Sequence, residues 1–494
     1  MSSARRVANN RTKTVSKSEA IPSDKEILES IRLHNMIFLS AQPDTPYFHW
    51  QVEIYLYQFA KHDIIDRCYA LFGYSNEPSA ELKRLQELYP TIITYEDDRT
   101  DKSYVPSIRP HMYKKFFKDR PELGAHVFIH DSDIFLVKMP NFKKMLEDPD
   151  NSYVSDTISY IGYDYLKECC DRYRAKNRRL PQLDIMQKLC ATAKITPQFL
   201  KTRQKQSGGA QYYWRNMTYE FWDEAETLMT DLYGVMVQYE KTNPCEKHIQ
   251  KWTADMWAIL WLYWKHGNTT IVDPELDFSW AVGTVDDYND KNIFHLAGVT
   301  AESKKMFYKS QYNNVTVFEA YNKDRGIFDH IGESSATKPY VELLIEYFNT
   351  RYAQIKGYLT DDEYYQTEEG KESKLVTRDA RGKVISKVKT ERGWFSPDRF
   401  DILDCKKFRV TCDDVVSVFD GDYVIDQQTL CCGKPIWRDS DGKFIIFHNG
   451  ASWVATYKHY ENDVGLNSGG IAFNKCDEPY FNDWNVGCLI QILC

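Results

Sequence analysis

The sequence lacks a surplus of basic residues. Its 71 Asp and Glu outnumber its 63 Lys and Arg, which gives a net charge of −8 and an isoelectric point near 5.9. A general nucleic-acid-binding protein needs a basic surface to neutralise phosphates, so we expect no nucleic-acid partner. The same balance does not exclude a nucleotide as a small ligand.

Export and membrane signals are also missing. The first 20 residues carry five basic residues and no apolar segment of the kind found in a leader peptide. The apolar stretch from Trp257 to Trp264 is far shorter than the ~20 residues that a membrane-spanning helix needs. These absences predict a cytoplasmic protein without a transmembrane anchor.

Cysteine pairs with the C-x-x-C spacing of zinc sites do not occur, although the chain has 12 cysteines. Seven of them lie between Cys405 and Cys494. Because the expected location is cytoplasmic, we predict free thiols rather than disulfides, and no structural zinc.

The sequence does contain a regular alternation of strand patterns and amphipathic helix patterns. Strands are predicted over 36–40, 68–73, 91–95, 125–130 and 269–272, and helices over 51–61, 80–88, from 112 onward, 219–239 and 254–265. Short connections between such elements are typical of a parallel sheet with crossover helices. The predicted fold class is therefore α/β.

The chain is long enough for two domains, and its pattern changes near residue 350. Four segments are predicted: a disordered basic tail over 1–24, an α/β domain over 25–345, a polar linker with a hairpin over 346–395, and a smaller β-rich domain over 396–494. Turn pairs such as Asp441-Gly442 and Asn449-Gly450 indicate the β-rich character. The role of that domain stays open between a carbohydrate- or protein-binding module and a structural cap.

One segment carries a pattern that suggests chemistry. The apolar strand pattern from Ala125 to His130 ends in Asp131-Ser132-Asp133 and returns at once to apolar residues. Ligands of open α/β sheets bind at the carboxyl ends of strands. Carboxylates at that position could hold a hard cation, Mn²⁺ or Mg²⁺, which would neutralise a diphosphate.

Three other Asp-x-Asp copies suit this role less well. The copy at 148–150 contains proline and follows a helix pattern, the copy at 420–422 is typical of a hairpin turn, and the copy at 439–441 lies in a polar turn. Only the copy at 131–133 follows a strand of the α/β portion, so we select it.

This segment resembles the Asp-x-Asp motif of GT-A glycosyltransferases, which take a sugar from a nucleoside-diphosphate sugar. The resemblance implies a Rossmann-like nucleotide-sugar-binding domain in which Asp133 binds Mn²⁺ or Mg²⁺ directly. Asp131 would then contact the ribose of the donor or reach the metal through water. By the habit of the family, the donor is expected to be a UDP-sugar.

Three later segments extend the resemblance. Gly208, Gly209 and Gln211 lie in a segment that looks like the family's glycine-rich loop beside the donor sugar, where glycine lets the backbone approach a ligand. Asp255 opens an apolar helix and resembles the acidic residue that faces donor and acceptor, although the helix dipole alone also favours a carboxylate there. His295, within His-Leu-Ala-Gly, resembles a third metal ligand.

Two basic residues are expected near the donor. Arg109 comes just before a predicted helix and could meet a phosphate or a base. Lys305, or its neighbour Lys304, follows the histidine motif and could meet the diphosphate, but the family's Lys-Pro-Trp ending is absent here. The segment from Glu275 to Trp280 follows a predicted strand, and its carboxylates and Trp280 could line an acceptor sugar.

The order of these motifs along residues 35–310 is distantly similar to that of peptidyl serine galactosyltransferases and hydroxyproline arabinosyltransferases. An enzyme without an anchor is also similar to the glycosyltransferases of large DNA viruses, which glycosylate their own capsid proteins. That similarity implies action in a host cytoplasm.

The expected activity is metal-dependent transfer of a hexose or pentose to a hydroxyl of a glycan or protein. Inversion and retention both stay open, and Asp255 is the candidate base if configuration inverts. One alternative is a lectin-like carbohydrate-binding protein without catalysis. Another is a nucleotidyltransferase, which would carry a Gly-rich basic loop after its first strand, whereas Ser40 to Pro46 contains neither glycine nor lysine.

Overall fold

The structure, a computed structural model, describes residues 22–367 and Gly370, together with the backbone of ten strands between residues 376 and 492. Most of the predicted basic tail lies outside this range. Within it, Ser23 caps a helix that begins at Asp24. No helix among the described residues combines the length and the apolar character that crossing a membrane requires.

Ten strands lie in the fully described part of the chain: β1 Ile37–Pro43, β2 Cys68–Tyr74, β3 Ile92–Glu96, β4 His126–Ile129, β5 Ile134–Leu136, β6 Asn151–Asp156, β7 Gly208–Arg215, β8 Thr269–Val272, β9 Phe278–Trp280 and β10 Ile293–His295. Seven form one sheet in the order β3-β2-β1-β4-β7-β6-β8, and three form a small sheet in the order β5-β10-β9. In the large sheet only β7 is antiparallel to its neighbours. The predicted class, α/β around a mostly parallel sheet, is confirmed.

The helices that precede, connect and follow these strands are α1 Asp24–Leu33, α2 Pro46–Ala60, α3 Ala80–Leu88, α4 Ile108–Asp119, α5 Phe142–Glu147, α6 Ile158–Ile161, α7 Tyr163–Lys176, α8 Asp184–Thr192, α9 Pro197–Thr202, α10 Tyr219–Thr242, α11 Ala254–Lys265, α12 Val285–Asp290, α13 Val317–Lys323, α14 Lys338–Tyr347, α15 Ala353–Lys356 and α16 Asp361–Tyr364. The observed bounds of α3, α11 and β8 are those that the sequence predicts.

The large sheet separates two apolar cores. Phe38 of β1 packs into one core with residues of α2, and its neighbours Ile37 and Leu39 pack into the other with residues of α4, α10 and α11. Successive strand side chains point to opposite faces, so a strand covered on both faces is buried along its whole length. This explains why six of the seven residues of β1 are buried.

Helix α4 begins earlier than the sequence suggests. We predicted a helix from Met112 with Arg109 in the preceding loop, but α4 already begins at Ile108. Pro110 lies in its first turn, where the missing N–H costs no helical hydrogen bond. The consequence is that Arg109 is fixed on the first turn of a helix.

The later strands form a ten-stranded sheet of their own: β11 Val376–Arg378, β12 Val384–Thr390, β13 Gly393–Trp394, β14 Lys407–Cys412, β15 Gly421–Cys431, β16 Lys434–Asp439, β17 Phe444–His448, β18 Trp453–Tyr457, β19 Ala472–Asn474 and β20 Cys488–Ile492. Its path is β11-β12-β20-β14-β15-β16-β17-β18-β19, and β13 pairs with β12. The predicted boundary after residue 345 falls inside α14, and Phe348 and Tyr352 belong to the first core. The cysteines from Cys405 onward lie outside the residues whose side chains are described.

Candidate functional site

The selected Asp-x-Asp segment lies where the chain passes from the large sheet to the small one. β4 ends at Ile129 and β5 begins at Ile134, so both aspartates fall in the short connection between them. β10 pairs antiparallel with β5, which sets His295 opposite Ile134. The backbone N–H of Leu296 also donates to the carbonyl oxygen of Asp133 at 2.9 Å. The pairing of two short strands thus brings His295 to the aspartates.

Asp131, Asp133 and His295 form a compact cluster. The Nε2 atom of His295 lies 3.4 Å from a carboxylate oxygen of each aspartate. One potential ligand atom from each of the three residues lies within 4.8 Å of the others. Two carboxylates and an imidazole are a donor set that fits a divalent cation.

Asp133 is buried and paired with a cation. Lys309, the first residue of a short 3₁₀ helix over Lys309–Tyr312, donates from Nζ to Asp133 Oδ2, and His295 faces the other oxygen. Burial by itself would raise the pKa of Asp133, but the Lys309 ammonium and His295 hold that pKa well below its usual range. Asp133 is therefore a carboxylate, the form that a metal ligand needs.

Arg109 joins the cluster to a third carboxylate. Its guanidinium pairs with Asp131 and donates from Nη1 to Asp255 Oδ2 at 3.0 Å. The hydroxyl of Tyr104 lies 3.0 Å from the other oxygen of Asp255 and accepts the backbone N–H of Asp255 at 3.1 Å. Burial raises the pKa of Asp255 despite the nearby guanidinium. Asp255 is thus rigidly held, with an increased affinity for a proton.

These residues share one cavity of about 470 Å³. Its wall is formed by Tyr47, Phe48, Gln51, Pro106, Arg109, Asp131, Ser132, Asp133, Tyr160, Ala210, Trp252, Asp255, Met256, Trp280, His295, Ala297, Gly298 and Lys309. The charged side chains converge within a largely aromatic and apolar enclosure, which is the usual composition of a small-molecule site.

The predicted glycine-rich loop is not a loop. Gly208, Gly209 and Gln211 begin strand β7, and the neighbouring Ala210, with φ of 70°, is the residue that lines the cavity. A Cβ atom on Gly208 would lie 2.4 Å from the backbone oxygen of Ser155. The close packing of β7 on β6 therefore explains this glycine. The fully buried side chain of Gln211 does not reach the cavity wall either.

The lysine that reaches the aspartates is Lys309 rather than Lys305. Lys305 is exposed, has φ of 59° and does not line the cavity. The sequence pointed to Lys305 because it follows the histidine motif closely. No recognisable motif surrounds Lys309. Its only signal in the sequence is that it follows the histidine motif in the same aperiodic segment as Lys305.

In the segment from Glu275 to Trp280, the two carboxylates have structural roles and the tryptophan lines the cavity. Glu275 accepts the backbone N–H of Asn141 and a side-chain N–H of Asn292, and Asp277 accepts the backbone N–H of Asp156. These carboxylates fix loops and do not line the cavity. Trp280 does line it.

Comparisons with known proteins give distant structural matches. No family model and no curated protein matches the chain. Among solved structures, mouse xyloside xylosyltransferase 1 in its apo form is 8% identical, with a TM-score of 0.28 over 53% of this chain and 97% of that one. Apo-form glycosyltransferase GlyE of Streptococcus pneumoniae TIGR4 is 9% identical, with a TM-score of 0.29 over 63% of each chain. Identities this low leave the assignment of function to the residues of the cavity.

Proposed function

We propose that this protein is a metal-dependent glycosyltransferase, which moves a hexose or pentose from a nucleoside-diphosphate sugar to a hydroxyl of a glycan or protein. The observation that carries the proposal is the cluster of Asp131, Asp133 and His295 in a cavity that also holds Lys309 and Arg109. Two carboxylates and an imidazole suit a divalent cation, and the two basic side chains suit a diphosphate. A uridine base is proposed from the family resemblance alone.

Each charged residue has a defined part in this proposal. Asp131, Asp133 and His295 would hold Mn²⁺ or Mg²⁺, which when bound stabilises the charge that develops on a departing diphosphate. Lys309 forms an ion pair with Asp133, and from this position beside the cluster it would also bind the diphosphate. Arg109 orients Asp131 and Asp255 through its two ion pairs.

The transfer forms a bond between the acceptor oxygen and C1 of the sugar. The bond from C1 to the diphosphate oxygen breaks, and its electron pair leaves with the diphosphate. The acceptor proton goes to Asp255 if configuration inverts, or to the leaving phosphate if configuration is retained. Asp255 suits the first route because it lines the cavity and its pKa is raised by burial.

A thermal-shift panel tests the proposal. UDP-, GDP- and CMP-sugars are added to the full chain with and without Mn²⁺, because a ligand that binds only the folded state raises the melting temperature. We expect one donor to stabilise the wild type only with Mn²⁺. Asp133→Asn should lose this effect, and Asp150→Asn, an exposed aspartate of another Asp-x-Asp copy, should keep it. No shift with any donor and metal would remove the basis of the proposal.

A carbohydrate-binding protein without catalysis is the second candidate. It is favoured by the exposure of Trp252 and Trp280, which line the same cavity. Such a protein would bind oligosaccharides in the wild type and in Asp133→Asn alike, and it would show no Mn²⁺-dependent response to any nucleotide sugar.

A further inference from the structure

Two tryptophans of the cavity differ from all others in the fully described part of the chain. Trp252 is 51% exposed and Trp280 is 37% exposed, whereas the other six are at most 1% exposed: Trp50, Trp214, Trp222, Trp257, Trp261 and Trp264. Leaving an indole in water forfeits the free energy of burying a large apolar surface. Because both exposed indoles line one cavity, their exposure indicates a ligand surface.

Tyr160 joins the two indoles into a continuous surface. Its ring centroid lies 5.5 Å from that of Trp252 and 6.4 Å from that of Trp280. All three rings line the cavity. We call this surface the aromatic wall.

The aromatic wall extends between the two chemical groups of the site. Trp252 precedes α11, and its carbonyl oxygen lies 2.8 Å from the Tyr104 hydroxyl that contacts Asp255. Trp280 is stacked on His295 with centroids 5.8 Å apart and an angle of 21° between the rings. A ligand on the wall therefore lies beside both the candidate base and the candidate metal ligand.

The charged side chains of the cavity pair with one another and belong to the proposed metal and diphosphate site, not to the wall. Arg109 pairs with Asp131 and Asp255, and Lys309 pairs with Asp133. The wall itself offers aromatic faces and no free charge. This favours a neutral ligand with a flat apolar face, and a pyranose ring presents such a face of C–H groups with its hydroxyls at the edge.

We propose that the aromatic wall binds a sugar ring of the acceptor, so that the acceptor is a glycan rather than a peptide. The role of this sugar as the acceptor rests on the proposed function. Its binding to the wall requires neither metal nor nucleotide. A ring stacked on the wall would place its edge hydroxyls toward Asp255 and the metal cluster.

Saturation-transfer NMR on the full chain, without metal or nucleotide, tests the inference. The probes are cellotriose, maltotriose, chitotriose, xylotriose and N-acetyllactosamine, together with a neutral serine- and hydroxyproline-containing peptide. We expect transfer to the ring C–H protons of at least one oligosaccharide and none to the peptide. Trp252→Ala should weaken that binding about tenfold, since it removes one stacking face.

Matched variants separate stacking from structural damage. Trp252→Phe keeps an aromatic face and should retain most of the affinity, whereas Leu33→Ala, an exposed apolar residue that does not line the cavity, should behave as wild type. The inference is overturned if no oligosaccharide receives transfer, if the peptide binds instead, or if Trp252→Ala binds as tightly as Trp252→Phe.

The same samples distinguish this inference from the proposed function. Asp133→Asn should keep the oligosaccharide signal while it loses the Mn²⁺-dependent response to nucleotide sugars. Oligosaccharide binding without any nucleotide response in the wild type would uphold the carbohydrate site and reject the transferase. The reverse result would uphold the transferase and reject a glycan acceptor.

Discussion

The carboxylate of Asp133 has partners on both sides. Lys309 contacts one oxygen, and the ring of His295 faces the other at 3.4 Å. A buried carboxylate needs such compensation, because taking its charge out of water is costly. A cation that binds Asp133 must therefore compete with Lys309 or displace it toward another anion, and a diphosphate beside the metal would be that anion.

Lys309 is expected to act on metal and nucleotide in opposite directions. Lys309→Gln removes a competing cation from Asp133, so Mn²⁺ alone should bind more tightly. UDP in the presence of Mn²⁺ should bind about tenfold more weakly, because the variant cannot donate a charge-assisted hydrogen bond to the diphosphate. Isothermal titration calorimetry measures both. Lys305→Gln, at an exposed lysine outside the cavity, should change neither constant. Weaker binding of both ligands in Lys309→Gln would contradict this competition.

His130 should make the fold sensitive to acid. Its ring packs among Tyr55, Phe59 and Phe128, and burial lowers its pKa from 6.5 to about 4. Between these two values, His130 takes up a proton in the unfolded chain but not in the folded chain. The contribution of the neutral His130 ring to the free energy of unfolding is therefore complete above pH 6.5 and is lost as the pH falls toward 4.

Urea unfolding between pH 7 and pH 4 measures that loss. His130→Gln should flatten the decline in the free energy of unfolding by up to about 3 kcal/mol. Parallel curves for the variant and the wild type would show that His130 does not cause the acid sensitivity.

Individual site residues could be predicted only where a local pattern marks them. Asp131 and Asp133 follow an apolar strand pattern, and His295 lies in a segment that resembles a family motif, so these three positions could be proposed from short stretches of sequence. Lys309 could not, because it lies in an aperiodic segment whose path depends on tertiary packing. The pairing of Arg109 with Asp255 joins two helices far apart in the chain, which no local pattern records.

Strand β7 shows how an element can resemble a functional loop. Its opening glycines suggested close approach to a ligand, but Gly208 faces the backbone of β6 and Gly209 lies against Tyr212 and Met256. Helix and strand periodicity predicted α3, α11 and β8 with their observed bounds, since each has a clear apolar pattern between turn residues. A two-glycine sequence contains no such periodicity, so packing decides its structure.

Two glycine variants test this account of β7. Gly208→Ala should lower the free energy of unfolding by about 1–3 kcal/mol, because the new Cβ would meet the oxygen of Ser155 and the strand must shift. Gly234→Ala has nothing within 4 Å of the new atom and lies inside α10, so it should raise stability by about 0.5–1 kcal/mol. Denaturant titration compares them, and equal stability of the two variants would argue against tight packing at Gly208.

At the scale of the whole molecule, the cavity depends on the joint between two sheets. Residues from Tyr47 to Lys309 contribute to its wall, and the candidate metal cluster needs the large sheet for Asp131 and the small sheet for His295. The α/β class was predictable from alternating patterns, whereas the small sheet was not, because β5, β9 and β10 are each three residues long. Strands this short gain their stability from pairing rather than from local preference.

Electron paramagnetic resonance of Mn²⁺ tests whether Asp131, Asp133 and His295 hold a metal ion, since it counts bound metal without requiring the correct sugar or acceptor. Mn²⁺ is titrated into the full chain with UDP, and a mixture of Mn²⁺ and UDP without protein corrects for their complex. We expect one protein-dependent Mn²⁺ site per chain in the wild type and in Asp150→Asn, and we expect this site to be lost in Asp133→Asn and weakened in His295→Ala. If the wild type binds no Mn²⁺ beyond the protein-free mixture, or if Asp133→Asn binds it equally well, the cluster is not a metal site.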